Sequence, residues 1–160
     1  MVDIKQVEHR SKSVKAADLM SRFAITIKEG ETVMSLAHLM MRFKISGVPV
    51  IDKNGEICGI ATATDLFNLM KKIVVDIEQG KNSVNYSGIK VSEIMTSDVV
   101  TINEETTLYD MMKLMCARNI HTLPVMVISK KEIVGVIGRR DIINAFYVGT
   151  GDYTKPSGKG

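Results

Sequence analysis

Apolar side chains recur with two different periods along the first half of this chain. The stretch 33–40 has the i, i+3, i+4, i+7 spacing of a helix that buries one face. The runs 47–52 and 56–60 are short, apolar and joined by an Asn-Gly pair, which favours the tight turn of a hairpin. A strand is predicted at 24–27, and a second helix from residue 65 to near residue 80. The predicted order is strand, helix, two hairpin strands, helix.

The second half of the chain repeats this order, and Met111 and Met115 are expected in its core as Leu36 and Met40 are in that of the first half. Residues 44–50 align with 119–125, an offset of 75 (119 − 44), and 59–65 align with 135–141, an offset of 76 (135 − 59). A single copy with three short strands and two helices buries little core, so the two copies are expected to form one module. The predicted boundaries are 14–79 for the first repeat, 80–88 for a polar linker, 89–149 for the second repeat, and 1–13 and 150–160 for a flexible lead and tail.

Composition and charge exclude several classes of protein. The 160 residues are 45% hydrophobic, which is enough for a core, and the net charge of +3 does not require a polyanionic partner. The longest stretches without a charged residue are about ten residues, well short of the ~20 that a membrane span needs. Charges at Asp3 and Lys5 argue against a secretion signal, so a cytoplasmic location is expected. Cys58 and Cys116 lack the spacing of a zinc or disulfide framework.

The sharpest chemical signal lies where a strand runs into a helix, once in each copy. In the first copy, Thr62 and Asp65 have the spacing of a capping box, which needs no ligand. In the second copy the run is Gly138-Arg139-Arg140-Asp141, and cations at a helix N-terminus oppose its dipole by about 0.3–1 kcal/mol each. A bound phosphate would reverse that penalty, and the carboxylate could accept hydrogen bonds from ribose hydroxyls.

These repeated motifs resemble a tandem pair of cystathionine β-synthase-type (CBS) domains, the arrangement called a Bateman module. The markers are Met20 and Met95, the Pro-Val strands at 48–50 and 123–125, and Gly-x-x-Thr-x-x-Asp at 59–65. The resemblance covers about residues 14–147. It implies an α/β (α+β) fold of two pseudo-twofold-related repeats, each with a small three-stranded sheet. It also implies two clefts that bind adenosyl ligands such as AMP, ADP, ATP or S-adenosylmethionine, with no other cofactor and no metal.

The resemblance assigns residues to each cleft. Cleft 1 would hold ribose and phosphate on Asp65, Thr62 and Thr64, and adenine against Val99, Val100, Ile120, His121 and Thr122. Cleft 2 would use Asp141, Gly138, Arg139 and Arg140, with adenine against Ala24, Ile25, Ile45, Ser46 and Gly47. Gly138 departs from the Ser or Thr usual at that position. From the residues alone, His121 could equally be a satisfied core or rim side chain, and the lysines at 71–72 are interpreted as solvated.

The resulting functional hypothesis is a non-catalytic sensor that forms a homodimer and passes ligand binding to an effector protein of unknown identity. An enzyme is the second hypothesis, but the sequence has no phosphate-binding P-loop, no His-Glu-x-x-His and no Cys/His nucleophile pattern. A nucleic-acid-binding or scaffolding module is the third, supported only by a mild basic excess and apolar helical faces.

Overall fold

Each copy of the repeated pattern folds into a three-stranded sheet with helices. The computed structural model describes residues 1, 3–83 and 85–149, and residue 149 is described by its backbone alone. The tail expected at 150–160 lies outside the described residues. The helices are α1 (Ile4–Ser13), α2 (Ala16–Leu19), α3 (Val33–Phe43), α4 (Ala63–Glu78), α5 (Val91–Ile94), α6 (Leu108–Arg118) and α7 (Arg139–Gly149). The strands are β1 (Ile27–Lys28), β2 (Gly47–Ile51), β3 (Ile57–Thr62), β4 (Ile102–Asn103), β5 (Thr122–Met126) and β6 (Ile133–Gly138). The predicted mixed α+β fold and element order are confirmed.

The chain divides into two compact units whose limits differ from those of the sequence copies. One unit comprises residues 25–99, and the other combines residues 1–24 with the part of the chain from residue 100 onward. Helices α1 and α2 therefore belong to the unit that contains β4, β5 and β6. Helix α5, which lies at the start of the second copy along the sequence, belongs to the unit of residues 25–99. We call these the 25–99 unit and the terminal unit.

The core of the 25–99 unit lies between its sheet and helix α3. Strand β2 pairs in parallel with β1 and antiparallel with β3, so it is the central strand. Val48 and Val50 of β2 are fully buried, as is Leu36 of α3. The hairpin turn places Gly55 at φ 78°, a left-handed conformation that glycine adopts without steric cost. The hairpin predicted from the Asn-Gly pair is therefore present, and the glycine takes the left-handed conformation that the turn needs.

The terminal unit repeats this arrangement. Leu123 and Val125 of β5 and Met111 of α6 are fully buried, as the helical spacing predicts. Met115, also expected in the core, is only half-buried. The expectation is wrong for Met115 because its side chain lines an open cavity with residues of α7.

Helix α1 replaces the flexible lead expected at 1–13. The Asp3 carboxylate caps the helix by accepting from Lys5 N at 3.0 Å. The helix contacts α6, and Ser11 on the contact face is buried and donates to the carbonyl of Val7 at 2.7 Å. Lys12 Nζ lies 5.0 Å from the ring centroid of Tyr109, a cation–π distance. The segment is too polar for periodicity to predict a helix, and this tertiary contact supplies the missing stabilisation.

In each unit, a glycine in the hairpin allows a segment that is distant in sequence to pack closely against a strand. A Cβ on Gly135 of β6 would lie 2.7 Å from Met20 Sδ and 2.8 Å from the carbonyl oxygen of Ser21. Ser21 N donates to the carbonyl of Val136 at 3.2 Å, so the segment after α2 pairs with β6. In the 25–99 unit, a Cβ on Gly59 would collide with Met95 and lie 3.1 Å from the carbonyl oxygen of Thr96. Both approaches require the absence of a side chain.

Replacing Gly135 with Ala should destabilise the protein by about 1–3 kcal/mol, because the new methyl meets a backbone carbonyl that cannot rotate away. Gly59→Ala should cost less, since its nearest neighbour is the flexible Met95 side chain. Gly30→Ala is the matched control, because a Cβ there has no neighbour within 4 Å. Urea denaturation of the three variants measures the difference. Equal midpoints for Gly135→Ala and Gly30→Ala would refute the close-approach explanation.

Candidate functional site

The turn from β3 into α4 is organised around one carboxylate oxygen. Thr62 N donates to Asp65 Oδ2 at 2.7 Å, and Thr62 Oγ1 donates to the same oxygen at 3.1 Å. Asp65 N in turn lies 3.4 Å from Thr62 Oγ1, which completes the capping box. Asp65 Oδ1 has no hydrogen-bond partner among the described residues. The box thus fixes the orientation of Asp65 while leaving one oxygen for another donor.

The equivalent turn from β6 into α7 keeps the carboxylate and loses the hydroxyl. Gly138 N donates to Asp141 Oδ2 at 2.8 Å, which matches the Thr62–Asp65 bond. Because Gly138 has no side chain, Asp141 N lacks the acceptor that Asp65 N finds in Thr62. Arg139 and Arg140 are exposed, and within residues 1, 3–83 and 85–149 neither forms a salt bridge. Among the described residues, this helix start therefore combines a backbone donor without a side-chain acceptor and two cations without a carboxylate partner.

Arg139 is also tied to the beginning of β5. Arg139 N donates to the carbonyl of His121 at 3.2 Å, as Ala63 N does to Ser46 at 2.8 Å in the other unit. Arg139 Nη1 lies 3.4 Å from His121 Nε2, and that nitrogen lies 3.2 Å from Asn119 Oδ1. A single imidazole nitrogen cannot accept from arginine and donate to the amide oxygen in the same tautomer. Only one of the two contacts is therefore a hydrogen bond at any moment.

The structure places the predicted cleft residues in both units. Register pairs set Gly47, predicted for cleft 2, opposite Thr62 of cleft 1, and Thr122, predicted for cleft 1, opposite Gly138 of cleft 2. Within each unit, these residues predicted for adenine therefore lie beside the turn that was predicted for the other cleft. The 25–99 unit holds Ile25, Ile45, Ser46, Gly47, Thr62, Thr64, Asp65 and Val99. The terminal unit holds Ala24, Val100, Ile120, His121, Thr122, Gly138, Arg139, Arg140 and Asp141. Each predicted cleft thus takes residues from both units, and the clefts remain predictions.

Asp65 lines a cavity of about 310 Å³ within the 25–99 unit. Its wall includes Asn68 and Lys72 of α4 and Glu93 of α5. Lys72 is exposed, as the sequence predicts, and it also places a cation on the cavity that Asp65 lines. Residues 65, 68 and 72 have the i, i+3, i+7 spacing of one helical face, which is the signal that could have identified them.

The remaining reactive groups show no nucleophilic arrangement among residues 1, 3–83 and 85–149. Burial and the nearby Glu29 carboxylate raise the pKa of the Cys58 thiol, which keeps it in the protonated, unreactive form. No group of three or more His, Cys, Asp or Glu side chains in the described part of the chain could hold a metal ion. No helix formed by the described residues is long and apolar enough to cross a membrane.

Restoring the missing hydroxyl should stabilise α7. A Cβ on Gly138 would meet only ordinary contacts, with Asp141 Oδ2 at 3.7 Å and the His121 carbonyl oxygen at 3.9 Å. Gly138→Ser should therefore raise the free energy of unfolding by up to about 1 kcal/mol, since serine caps helices and restricts the unfolded chain. The reciprocal change Thr62→Ala should lower it by about 1 kcal/mol. Thermal unfolding provides the measurement, and a destabilised Gly138→Ser variant would contradict the assigned geometry.

Known proteins share both the sequence pattern and the fold. A family model for the CBS domain matches residues 16–72 and 91–148. The chain is 29% identical over 143 residues to an inosine-5′-monophosphate dehydrogenase of Methanocaldococcus jannaschii, which covers 89% of this chain and 26% of the dehydrogenase. It is also 29% identical to an uncharacterized protein of that organism, over 80% of this chain and 88% of the relative. The chain thus spans about a quarter of the dehydrogenase and most of the second relative.

The fold of this chain also matches the folds of solved structures. The CBS domain pair of protein MJ0100, in complex with 5′-methylthioadenosine and S-adenosyl-L-methionine, superposes with a TM-score of 0.68 at 24% identity, over 85% of this chain and 98% of that one. CBSX2 in complex with AMP has a TM-score of 0.67 at 22% identity, over 83% and 96% of the two chains. Protein MJ1225 of Methanocaldococcus jannaschii reaches 0.76 at 26% identity, over 89% and 51%.

Proposed function

Because the chain belongs to the CBS domain family, as its repeated motifs predicted, we propose that it is a regulatory module that binds adenosyl ligands. The observation that carries this proposal is the pair of strand-to-helix turns, each with a carboxylate held by a backbone amide at 2.7 or 2.8 Å. Solved CBS pairs with the same fold hold AMP or S-adenosylmethionine, which supports the ligand class. The cleft residues predicted from the sequence are the candidate contacts.

Asp65 is the proposed ribose-binding carboxylate. Its Oδ2 is occupied by Thr62, whereas Oδ1 has no partner among the described residues and can accept a ribose hydroxyl. A hydrogen bond to a charged group contributes about 1.5–3 kcal/mol. Lys72, on the same cavity, adds a cation that the Thr62–Asp65 turn itself lacks. This lysine is suited to the phosphate of a nucleotide.

Asp141 is the proposed counterpart in the second site. The exposed Arg140 and the uncapped helix start offer more positive charge than the Thr62 turn does. Backbone amides and guanidinium groups together favour phosphate. We therefore expect the site at Asp141 to prefer ligands with more phosphate charge, and the site at Asp65 to tolerate ligands with fewer.

Replacing Asp65 with Asn tests the ribose contact without removing the cap, because an amide oxygen can still accept from Thr62 N. AMP affinity should fall roughly ten- to a hundredfold, while thermal stability changes little. Asp110→Asn is the matched control, since Asp110 is also the third residue of a helix capped by a threonine, Thr107. Calorimetric titration with AMP, ADP, ATP and S-adenosylmethionine gives the affinities. If Asp65→Asn and Asp110→Asn bind AMP equally well, Asp65 is a cap and nothing more.

We propose that the chain is non-catalytic and cytoplasmic, and that an effector protein is its further partner. CBS domains also occur within enzymes, as the match to a quarter of the dehydrogenase illustrates. No described residues form a nucleophile, metal or P-loop arrangement that would favour catalysis by this chain itself. Nucleic-acid binding, the alternative, predicts affinity that falls steeply with salt and ignores AMP.

We further propose that the chain forms a homodimer through α4. Phe67, Met70, Val74 and Ile77 are each more than half exposed, and their spacing places them on one face of the helix. An apolar stripe of this kind is typical of protein–protein contact surfaces.

The double change Met70→Glu and Val74→Glu should convert the dimer to a monomer of 17.7 kDa, because it buries charge at the contact. Lys71→Glu, an exposed neighbour outside the stripe, is the control for altered charge. Sedimentation at tens of micromolar distinguishes the species. A parent protein that sediments as a monomer with and without AMP would remove the dimer from the proposal.

A further inference from the structure

A second cavity, of about 440 Å³, lies between α6 and α7 of the terminal unit. Its volume is within the range of small-molecule sites, about 300–1,000 Å³. The wall is mainly apolar, formed by Met112, Met115, Ile142 and Phe146 with their neighbours. Phe146 and Tyr147 close one end as an edge-to-face ring pair with centroids 5.1 Å apart. The half-buried Met115 therefore packs against the core and also lines this cavity.

The opposite end of this cavity is polar and positively charged. Asn119, His121 and Arg139 line it, and Arg139 Nη1 lies 3.4 Å from His121 Nε2. Asn119 ends α6 at φ 51°, a left-handed conformation that asparagine tolerates better than most residues. The Arg139 guanidinium has no carboxylate partner among the described residues, and no acidic side chain lines the cavity. A cation at the mouth of an apolar cavity attracts an anion.

We propose that the α6–α7 cavity binds an amphipathic monoanion, an aliphatic or aromatic carboxylate whose charged group contacts Arg139 and whose apolar body lies along Met112, Met115 and Phe146. A guanidinium matches a carboxylate through two parallel N–H···O bonds. The apolar wall contributes about fourfold in affinity for each methylene that it buries. A nucleotide fits this cavity poorly, because the lining offers no carboxylate for ribose hydroxyls.

This site goes beyond the proposed function, although Ile120, His121 and Arg139, which were predicted for the adenosyl clefts, also line this cavity. The adenosyl turn depends on Gly138, Arg140 and Asp141, none of which lines the cavity. The sequence copies also differ here, since Ala63 and Ser46 align with Arg139 and His121. The 25–99 unit has Lys44 at the position of Asn119 but no guanidinium at the position of Arg139, and we expect one carboxylate site for each chain.

Octanoate is the probe, with butyrate and octylammonium as the shorter and the oppositely charged comparisons. Calorimetry of the full chain should show saturable binding of one octanoate per chain. Butyrate, with four fewer methylenes, should bind on the order of a hundredfold more weakly. Octylammonium should not bind. In methyl-labelled protein, the signals of Met112 and Met115 should shift, and that of the core residue Met20 should not.

Variants separate the charge from the cavity. Arg139→Gln should weaken octanoate binding at least tenfold, whereas Arg140→Gln, the matched loss of charge one residue away, should leave it within twofold. Ile143, exposed at the cavity wall, provides a second pair: Ile143→Glu should abolish binding by repulsion, and Ile143→Gln should reduce it only modestly. Asp65→Asn should leave octanoate binding unchanged, so failure of the adenosyl proposal does not affect this one.

Three results would overturn the proposal. The first is no saturable binding at millimolar octanoate, or equal binding of octylammonium. The second is displacement of octanoate by AMP in a one-to-one competition, which would make the cavity part of the nucleotide site. The third is a shift of Met112 and Met115 with protein concentration and not with octanoate, which would show that a second copy of the chain covers the cavity.

Discussion

The close approach at Gly59 and Gly135 is the constraint on which each unit depends. At both glycines a methionine and the residue after it lie against the strand where a Cβ would stand. The main chain beyond each methionine then pairs with the strand, Ser21 with Val136 and Thr96 with Ile60. Since these partners come from outside the hairpin, neither sequence copy completes its own core. The repeats predicted at 14–79 and 89–149 therefore do not coincide with the packed units.

Strand β3, which carries Gly59, leads directly into the candidate site. The same strand thus contributes to the stability of the unit and to the position of the candidate ligand-binding residues. The strand that carries Gly59 ends at Thr62, whose amide and hydroxyl hold one oxygen of Asp65. A carboxylate held by two donors loses little conformational entropy when a ligand binds its other oxygen. The cap therefore pre-organises Asp65 for a hydroxyl donor. A structural explanation and a functional explanation of this residue are compatible because they use different oxygen atoms.

Sequence patterns predicted the features that depend on neighbouring residues. The hairpins, the helical core positions and the capping turns all follow from local spacing. The features that were missed need contacts distant in sequence. Strand β1 begins only at Ile27, where parallel pairing with Val50 starts, although the apolar run suggested residue 24. Helix α1 forms against α6, which its polar sequence could not indicate. Lys72 lies on one helical face with Asp65, a spacing that becomes informative only once the cavity lined by both residues is located.

The two turns share a backbone and differ in chemistry, which gives duplication a functional consequence. The bond from residue 62 to Asp65 and the bond from Gly138 to Asp141 differ by only 0.1 Å, 2.7 against 2.8 Å. Their side chains nevertheless supply a hydroxyl in one copy and two cations in the other. Because the scaffold fixes the carboxylate in both, substitutions around it can alter ligand preference without rebuilding the site. Arg139 shows how far this extends: its amide donates to the His121 carbonyl, and its side chain places a charge at a cavity where the first copy has Ala63.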